Sequence, residues 1–422
     1  MNKFLQVFKI PDLRKKIFAV GLLLVAFRVL AAVPIPGIDT VQLQAFFESN
    51  QLFGFLNVFT GGGLSGLSIV MLGVGPYITS SIIMQLLTII FPKLKKAYHE
   101  EGAEGKAKFN RYSRYLTVPL AMLQAYGFLN LLVSQGAIAR MTFPAILANV
   151  VVITAGSILV MWIGELISEY KIGNGISLII FAGIVSGLPQ IIYSNLLNYN
   201  PGVLPTYIAF AVLSIIVIAG VVFITEGERK IPVSYAKHVR GNKMYGGVAT
   251  YLPLRVNQAG VIPIIFALSV LLFPQFLAQT LAIISPDLAA QVNGFVQGVA
   301  GNLLIFSILY FILVVAFTFF YTAITFDPGE ISKNLQRNGG FIPGIRPGDN
   351  TKEFISRVVY RITLFGALFL GIIAVLPNIT QGITGITTLT LGGTALLIIV
   401  AVAIEIMKQL ESQLDMREYE NV

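Results

Sequence analysis

Long apolar stretches and shorter polar segments alternate along the whole of this 422-residue sequence. Each apolar stretch holds about 20 residues, which is the length that a helix needs to cross about 30 Å of hydrocarbon. Because such stretches are typical of membrane spans, the pattern predicts an all-α polytopic membrane protein with ten transmembrane helices. The predicted spans are 17–36, 69–91, 114–134, 143–167, 175–193, 205–225, 258–278, 301–325, 361–378 and 385–407.

Composition supports this class and removes several kinds of chemistry. Hydrophobic residues make up 55% of the chain and charged residues only 12%, against about 25% charged in soluble domains. The chain has no cysteine, which excludes disulfides, thiolate metal sites and thiol nucleophiles. Its two histidines, His99 and His238, fall in polar loops. We therefore predict neither a metal site nor a cofactor.

The positive charges predict the orientation in the membrane. The net charge of +9 has two interpretations, nucleic-acid contact or the cytoplasmic excess of cations in membrane proteins, and we favour the second. With ten spans, 27 of the 29 lysines and arginines fall on one side, whereas Arg140 falls in an opposite loop and Arg28 inside span one. Both termini are then cytoplasmic, with an amphipathic segment at 1–16 and a tail at 408–422.

The ten spans divide into an N-terminal half, residues 17–193, and a C-terminal half, residues 205–407. Spans one to five and spans six to ten begin on opposite sides of the membrane, which is the arrangement of an inverted repeat. Because inverted repeats are common in transport proteins, with the pathway at the repeat interface, this division favours a transport function.

Residues 53–92 contain a short irregular segment followed by a full span. The part from Phe53 to Ser68 is too short to cross a bilayer, and its glycines oppose a stable helix. Unpaired backbone groups are costly in lipid, so this segment must lie within protein or in a water-lined cavity. It predicts a pathway through the molecule with a movable piece inside it.

Ionisable residues are almost absent from the span interiors. Glu165 and Glu405 fall near cytoplasmic span ends, and Arg28 falls in the outer half of span one. A coupled transporter usually has acidic groups near mid-membrane, and an ion channel has a ring of charges or a carbonyl filter. The spans carry uncharged polar residues instead, which suit a pathway that does not bind its cargo strongly: Thr79, Ser80, Ser81 and Gln85.

The sequence contains no catalytic motif that we recognise. It lacks the GxxxxGK[ST] phosphate loop, the HExxH motif and the nucleophile elbow, and the GNG at 173–175 predicts only a turn that opens span five. We therefore predict that the protein is not an enzyme. Two alternatives stay open: a secondary transporter for a small solute, which a mid-membrane acidic pair would favour, and a membrane-embedded enzyme, which needs a paired nucleophile and base.

Two long cytoplasmic loops are predicted at 226–257 and 327–360. In the first, alternating apolar and polar residues flank Gly241-Asn242 and Gly246-Gly247, which predicts a β-hairpin that projects from the membrane. The second has glycines and prolines that favour a structured tip. Both loops are basic, so they are either solvated cytoplasmic loops or a docking surface for an acidic partner, such as ribosomal RNA or a cytosolic motor.

Six segments of the sequence match one known family in the same order along nearly the whole chain. They are VAFRVLAAVPIPGID (25–39), FTGGGLSGLSIVMLGVGPYITSSIIMQLL (59–87), ERKIPVSYAKHV (228–239), YLPLRVNQAGVIPIIFA (251–267), GGFIPGIRPGDNT (339–351) and GGTALLIIV (392–400). The sequence resembles the SecY family, the protein-conducting channels of bacterial plasma membranes. The agreement of several independent motifs is far more specific than a lone glycine pattern.

The resemblance implies an hourglass-shaped channel, built from two inverted five-helix halves and closed at its waist by branched apolar residues. The residues at the matching positions form the implied pore ring: Val74, Ile78, Ile180, Ile184, Ile265 and Ile398. Val74 departs from the commoner isoleucine, which would loosen the waist slightly. The same six residues would also fit an ordinary core, and periodicity does not separate these interpretations.

The resemblance further implies a plug and a lateral gate. The gate would lie between spans two and three on one side and spans seven and eight on the other, with Thr79 and Gln85 lining it. The plug would cover about residues 56–67, and its glycines would let it leave the waist. Its implied residues are Leu56, Phe59, Gly61, Gly62, Gly63, Leu64 and Leu67.

Partners and location are also implied by the resemblance. They are the small subunits SecE and SecG, the motor SecA, the ribosome with its RNA, and secretory and membrane-protein precursors, at the bacterial plasma membrane. Arg346 matches a family position needed to engage the motor or the ribosome, and the implied docking surface includes Arg240, Lys243 and Arg337. The expected function is a channel that passes unfolded polypeptides across the membrane and releases membrane segments through the lateral gate.

Overall fold

The computed structural model describes residues 10–35, 63–64, 66–94, 102–134, 136, 138–197, 204–235, 238–240, 243–245, 249–384 and 392–420. Within these residues the chain is mostly helical. The helices are α1 (Pro11–Ala31), α2 (Gly75–Ile90), α3 (Gly102–Ser134), α4 (Phe143–Glu169), α5 (Gly175–Leu197), α6 (Leu204–Glu226), α7 (Ile262–Ile284), α8 (Pro286–Ala300), α9 (Leu303–Thr325), α10 (Pro328–Arg337), α11 (Asp349–Thr384) and α12 (Gly392–Glu420). The strands are β1 (Glu228–Tyr235), β2 (His238–Arg240), β3 (Lys243–Tyr245), β4 (Ala249–Arg255) and β5 (Gly340–Phe341).

A helix overlaps each of the ten apolar stretches of the sequence. Among the described residues, five helical segments are long and apolar enough to cross a membrane by length and composition. These segments are Glu104–Ser134, Phe143–Glu169, Ile208–Glu226, Leu303–Arg337 and Asp349–Thr380. The helical content and these apolar segments agree with a multi-pass membrane protein.

Several helices differ from the predicted spans at their ends. Helix α3 begins at Gly102 and α11 at Asp349, both within polar sequence, and α12 continues to Glu420 through most of the predicted tail. Hydropathy marks where a chain crosses hydrocarbon, whereas a helix continues for as long as its own backbone hydrogen bonds persist. Helix α8 was not predicted, because its residues lie between the seventh and eighth apolar stretches.

Close packing between helices depends on glycine at two positions. A β-carbon at Gly175 would lie 1.8 Å from the carbonyl oxygen of Gly164, so α5 starts in direct contact with α4. The GNG turn predicted before α5 is confirmed, since Oδ1 of Asn174 accepts from the backbone N–H of Ile176 at 3.0 Å. A β-carbon at Gly371 would lie 2.7 Å from the Phe311 ring, where α11 meets α9.

The hairpin predicted within residues 226–257 is present and pairs with a strand from residues 327–360. Strands β1 and β4 pair antiparallel from Glu228↔Arg255 to Ser234↔Ala249. Strand β5 pairs with the other edge of β1 through Ser234↔Phe341, which gives the order β4-β1-β5. The sheet packs on the start of α11 around a small core: Ile231, Val233, Leu254, Ile342, Ile355 and Val359. The two loops therefore form one folded unit.

The end of α12 contacts the N-terminal half of the chain. Leu414 and Leu13 are both buried and pack together with Ile10, Ile17 and Leu410. One residue before Leu414, Nε2 of Gln413 donates to the backbone carbonyl of Lys171, which lies in the turn between α4 and α5. We call these contacts the clasp, because they join the last helix to the first helix and to the α4–α5 turn.

Candidate channel site

The six residues of the implied pore ring are all buried in one apolar cluster. Their side chains are between 1% and 8% exposed, and the cluster also draws residues from α1, α4, α6, α9 and α11. Val74 directly precedes α2 and Ile78 lies in its first turn, while Ile180 and Ile184 come from α5, Ile265 from α7 and Ile398 from α12. The six positions therefore share one apolar cluster. All six are branched apolar residues, which offer no hydrogen bond to a polar molecule.

The segment that follows the implied plug is fixed to the N-terminal half. Pro34 and Ser68 form an antiparallel bridge, flanked by hydrogen bonds from Ile35 N–H to the Leu67 carbonyl at 2.8 Å and from Ile69 N–H to the Val33 carbonyl at 3.0 Å. Leu67 adopts φ of 39°, a left-handed conformation that is uncommon for a residue with a side chain. A two-sided backbone clamp stabilises this conformation.

The implied plug residues divide between described and undescribed parts of the chain. Leu64 and Leu67 are 1% and 0% exposed, in a second cluster with residues of α3 and α4 such as Phe128 and Ile153. This cluster is separate from the one that contains the pore ring. Gly63 is buried, and its carbonyl accepts from Ser68 N–H at 2.9 Å. The other implied plug residues lie outside the described part: Leu56, Phe59, Gly61 and Gly62.

Helix α4 supports the same segment through a glycine. A β-carbon at Gly156 would lie 2.0 Å from the carbonyl oxygen of Ile69 and 3.3 Å from a side-chain methyl of Val70. No side chain fits at this position without movement of the backbone. The absence of a side chain at Gly156 therefore allows the chain between Ser68 and α2 to lie directly on α4.

Polar contacts join α2 to α3. The Ser80 hydroxyl donates to the Ser113 carbonyl at 2.5 Å. Further along, Nε2 of Gln124 donates to Oγ1 of Thr79 at 3.4 Å, and Thr79 in turn donates to the Gly75 carbonyl at 3.1 Å. Thr79, which the sequence placed in the lateral gate, is thus bound within the N-terminal half. Gln124 is its partner and was not predicted.

A different kind of contact joins α7 to α2 and α3, and we call this contact the seam. Helix α7 packs on both of the other helices. The Ser269 hydroxyl of α7 donates to the Ile265 carbonyl within its own helix at 2.9 Å, and the described side chains of α7 donate no hydrogen bond to α2 or α3. Oε1 of Gln85 on α2 is buried, and it has no hydrogen-bond partner among the described residues. In the described part of the chain, the α7 side of the seam is therefore apolar packing.

An ion pair connects α3 to α4. Nε of Arg114 lies 2.6 Å from Oε1 of Glu165, with the two side chains 46% and 20% exposed. Glu165 is one of the few acidic residues within a predicted span, and this contact gives it a partner. Since the pair adds to the polar contacts between α2 and α3, helices α2, α3 and α4 are linked by polar bonds as one group.

The implied docking residues lie in the two loops that form the folded unit of β1, β4 and β5. Arg240 and Lys243 are opposite each other in the antiparallel pair of strands β2 and β3. Arg337 is exposed in the last turn of α10. Arg346 is exposed in the loop between β5 and α11, where its carbonyl accepts from the Thr351 hydroxyl at 2.9 Å. The hydrogen bond holds the backbone of Arg346 in place and leaves its side chain in solvent.

Comparison with known sequences identifies close relatives over the full chain. The SecY family model matches residues 68–407. Protein translocase subunit SecY of Corynebacterium glutamicum is 42% identical, with 100% of both chains covered. Protein translocase subunit SecY of Mycobacterium bovis is 41% identical, with 100% of this chain and 99% of the relative covered.

Comparison with solved structures shows a shared fold. A structure of a protein-conducting channel matches with a TM-score of 0.65 at 21% identity, covering 93% of this chain and 90% of that chain. A SecY structure concerned with the plug domain matches with a TM-score of 0.63, and Sec61 from the canine ribosome–channel complex with 0.62, both at 21% identity and with the same coverage. The similarity extends over both halves of the chain.

Proposed function

This chain belongs to the SecY family, and from that premise we propose that it is the channel subunit of a bacterial protein translocase. It passes unfolded secretory polypeptides across the plasma membrane and releases membrane segments sideways into lipid. The observation that supports this proposal most directly is the burial of all six ring residues in one apolar cluster, at the junction of α2, α5, α7 and α12. In this proposal, ten helices form two inverted halves with an hourglass-shaped path between them.

The ring residues act as an apolar closure. A constriction lined only by branched aliphatic side chains dewets, and ions do not cross it because water no longer fills it. It also gives a passing polypeptide no fixed hydrogen-bond partner. The waist therefore closes tightly around chains of varied sequence and binds none of them strongly.

In this proposal the plug leaves the waist while its last described residues stay in place. Leu64 and Leu67 are buried in the N-terminal half, and Ser68 is bridged to Pro34. The sequence before Leu64 contains Gly61 and Gly62, and glycine permits large backbone rotations at low energy.

The lateral gate opens at the seam. Because α2, α3 and α4 are linked by polar bonds, they move as a group, while α7 separates from them without breaking a described hydrogen bond. Gln85, with its free amide oxygen, offers a hydrogen bond to a segment that passes through the opening. A client segment then partitions by its own composition, since each charged residue opposes insertion by about 2.5–3.5 kcal/mol.

The driving force comes from partners. The sequence has no phosphate-binding loop, so the channel is passive and a motor or a translating ribosome supplies the energy. We propose SecE, SecG, SecA and the ribosome as partners, with docking through Arg240, Lys243, Arg337 and Arg346. These cations lie on the side that carries 27 of the 29 lysines and arginines. That side is cytoplasmic and contains both termini.

A photo-crosslinking experiment tests the proposal. A crosslinking amino acid replaces Ile78, Ile265 or Ile398, and a secretory chain is stalled in transit through the full complex. Two control positions are Leu129, which is buried in the second cluster, and Phe223, which is 75% exposed on α6. A crosslink from the ring positions alone, dependent on the signal sequence, supports the proposal. Absence of a crosslink from all three ring positions, with the complex intact, would place the path elsewhere and favour a transporter of small solutes.

A further inference from the structure

Helix α8 has an amphipathic sequence without a single lysine or arginine. At 100° per residue, Leu288, Val292, Phe295 and Val299 fall on one side of the helix. The opposite side carries Asn293 and Gln297, together with Gly294, whereas Gln291 flanks the apolar side next to Phe295. Asp287, in the first turn, is the only charged residue of the sequence 256–326. The polar side is therefore neutral except at its N-terminal end.

The apolar side of α8 is only partly covered by protein. Ala289 is buried at 3% exposure, and α8 packs on α7 and α9. Leu288 and Phe295, which lie two turns apart at one edge of the apolar stripe, are 52% and 69% exposed. These two large apolar side chains thus remain exposed along one edge of the helix, whereas Val292 and Val299 are partly buried against the protein.

The connections of α8 bear on its position relative to a membrane. It joins the end of α7 to the start of α9, and α9 belongs to a segment long and apolar enough to cross a membrane. If α9 crosses the membrane, α8 lies at the level where α9 enters the hydrocarbon. Asn302 fixes the start of α9, because its Oδ1 accepts from the N–H groups of Leu304 at 3.1 Å and Ile305 at 3.3 Å. The uncovered apolar surface of α9 begins in that first turn, with Leu304 73% and Ile308 60% exposed.

We propose that α8 is a membrane-interface helix that inserts Leu288 and Phe295 into the acyl region of the leaflet opposite the cationic side. The occupant of the uncovered stripe is lipid, because the stripe continues the lipid-exposed surface of α9 and carries the side chains that suit the headgroup–acyl boundary. Gln291 and Gln297 face water or headgroups. As α8 links the seam helix α7 to α9, it sets the depth of both helices in that leaflet. The inference rests on α9 crossing the membrane.

The absence of native cysteine makes a direct test possible, since a single introduced cysteine is the only site for a spin label. The full chain is reconstituted in vesicles of phosphatidylcholine and phosphatidylglycerol. Collision rates of the label are measured with oxygen, which concentrates in lipid, and with a water-soluble nickel complex. The reporters are Phe295→Cys and Leu288→Cys, with Gln297→Cys and Ala290→Cys as matched exposed positions on the opposite side of the same helix. Ile308→Cys calibrates lipid exposure on α9.

The expected ratio of oxygen to nickel collisions is about fivefold higher at Phe295→Cys than at Gln297→Cys, and Leu288→Cys should likewise exceed Ala290→Cys. Equal ratios on the two sides would overturn the proposal, because the apolar side would then face water. Low collision rates with both reagents at Phe295→Cys and Leu288→Cys would also overturn it, because protein would then cover the stripe. If Ile308→Cys reports lipid and both apolar reporters on α8 do not, α8 fails as an interface helix while α9 remains a membrane span. Low lipid exposure at Ile308→Cys itself would remove the premise, and the proposal with it. The two apolar reporters protect the test against a single variant that does not fold.

Discussion

A β-carbon on Gly156 would lie 2.0 Å from the carbonyl oxygen of Ile69, so α4 touches the backbone of the segment between the implied plug and α2. This contact leaves no room for any other residue at position 156. Together with the bridge between Pro34 and Ser68, it anchors the chain immediately before Val74, the first residue of the implied ring. The contact yields the first of five predictions.

Gly156→Ala should destabilise the protein by about 3 kcal/mol, because overpacking at a rigid backbone contact forces the chain to shift. The measurement is thermal unfolding in detergent. Gly187→Ala is the matched control, since a β-carbon there meets nothing within 4 Å and alanine favours a helix by about 1 kcal/mol. Equal stability of the two variants would show that α4 and the Ile69 segment are not in contact.

The pair of Arg114 and Glu165 should contribute a coupling energy of about 1 kcal/mol, because one partner is only 20% exposed. A double-mutant cycle with Arg114→Gln and Glu165→Gln measures it. The control cycle uses Arg357 and Glu353, which lie 2.8 Å apart on α11 with both side chains mostly exposed. There we expect about 0.3 kcal/mol. A smaller coupling for Arg114 and Glu165 than for the control would contradict the linkage of α3 and α4.

Ile398→Asn should let the channel accept precursors with defective signal sequences. An amide in the apolar closure attracts water and weakens the closed state relative to the open one. The measurement is transport of a signal-defective precursor into vesicles, compared with the same precursor carrying an intact signal. Ile398→Val keeps the apolar character and should retain normal stringency. Unchanged stringency in Ile398→Asn would count against the ring assignment.

Arg346→Glu should abolish motor-driven transport while leaving the fold intact. The Arg346 side chain is exposed, and only its backbone is tied to Thr351, so the charge reversal should alter docking alone. Lys333→Glu reverses another exposed cation of the same loop, residues 327–360, and should transport normally. Normal precursor transport by Arg346→Glu, or equal loss in both variants, would defeat the proposed role of this loop.

Leu414→Ala should release the clasp, because truncating a buried leucine typically costs about 2–5 kcal/mol. Amide hydrogen exchange over residues 408–414 and 11–17 should accelerate together, since Leu414 and Leu13 share one cluster. Met416→Ala, on the same helix but 59% exposed, is the control and should leave exchange unchanged. Faster exchange at α12 alone would mean that the end of α12 does not hold the N-terminal helix.

The sequence predicts those parts of the fold that depend on local composition. Apolar stretches marked the positions of the helices, and alternation around Gly241-Asn242 marked the hairpin that β1 and β4 form. It did not predict that β5 would pair with β1, because the pairing of Ser234 with Phe341 joins residues far apart in sequence. Helix α8 was missed for another reason: its amphipathic stripe is too weakly apolar for a hydropathy criterion.

For the candidate site, the resemblance supplied residues and the structure supplied their partners. The six ring residues lie in one cluster, which periodicity could not have shown. Gln124, which donates to Thr79, carries no sequence signal beyond being polar within a span. The role of Gly156 depends on Ile69, a residue in another segment, so a single sequence contains nothing that singles it out among 40 glycines.

The absence of described polar bonds across the seam has a consequence for the bilayer. If α7 separates from α2 and α3, as the proposed gate requires, lipid acyl chains take the place of the side chains that α7 contacted. One apolar contact is then replaced by another. The hydrophobic contribution to the free energy is then equal in the closed and the open state. The difference between the two states depends on how well lipid tails pack against the opened surface. The equilibrium position of α7 relative to α2, α3 and α4 then depends on the length and order of the lipid chains as well as on the protein. A cell that changes its fatty acids with temperature would thereby retune its own export channel.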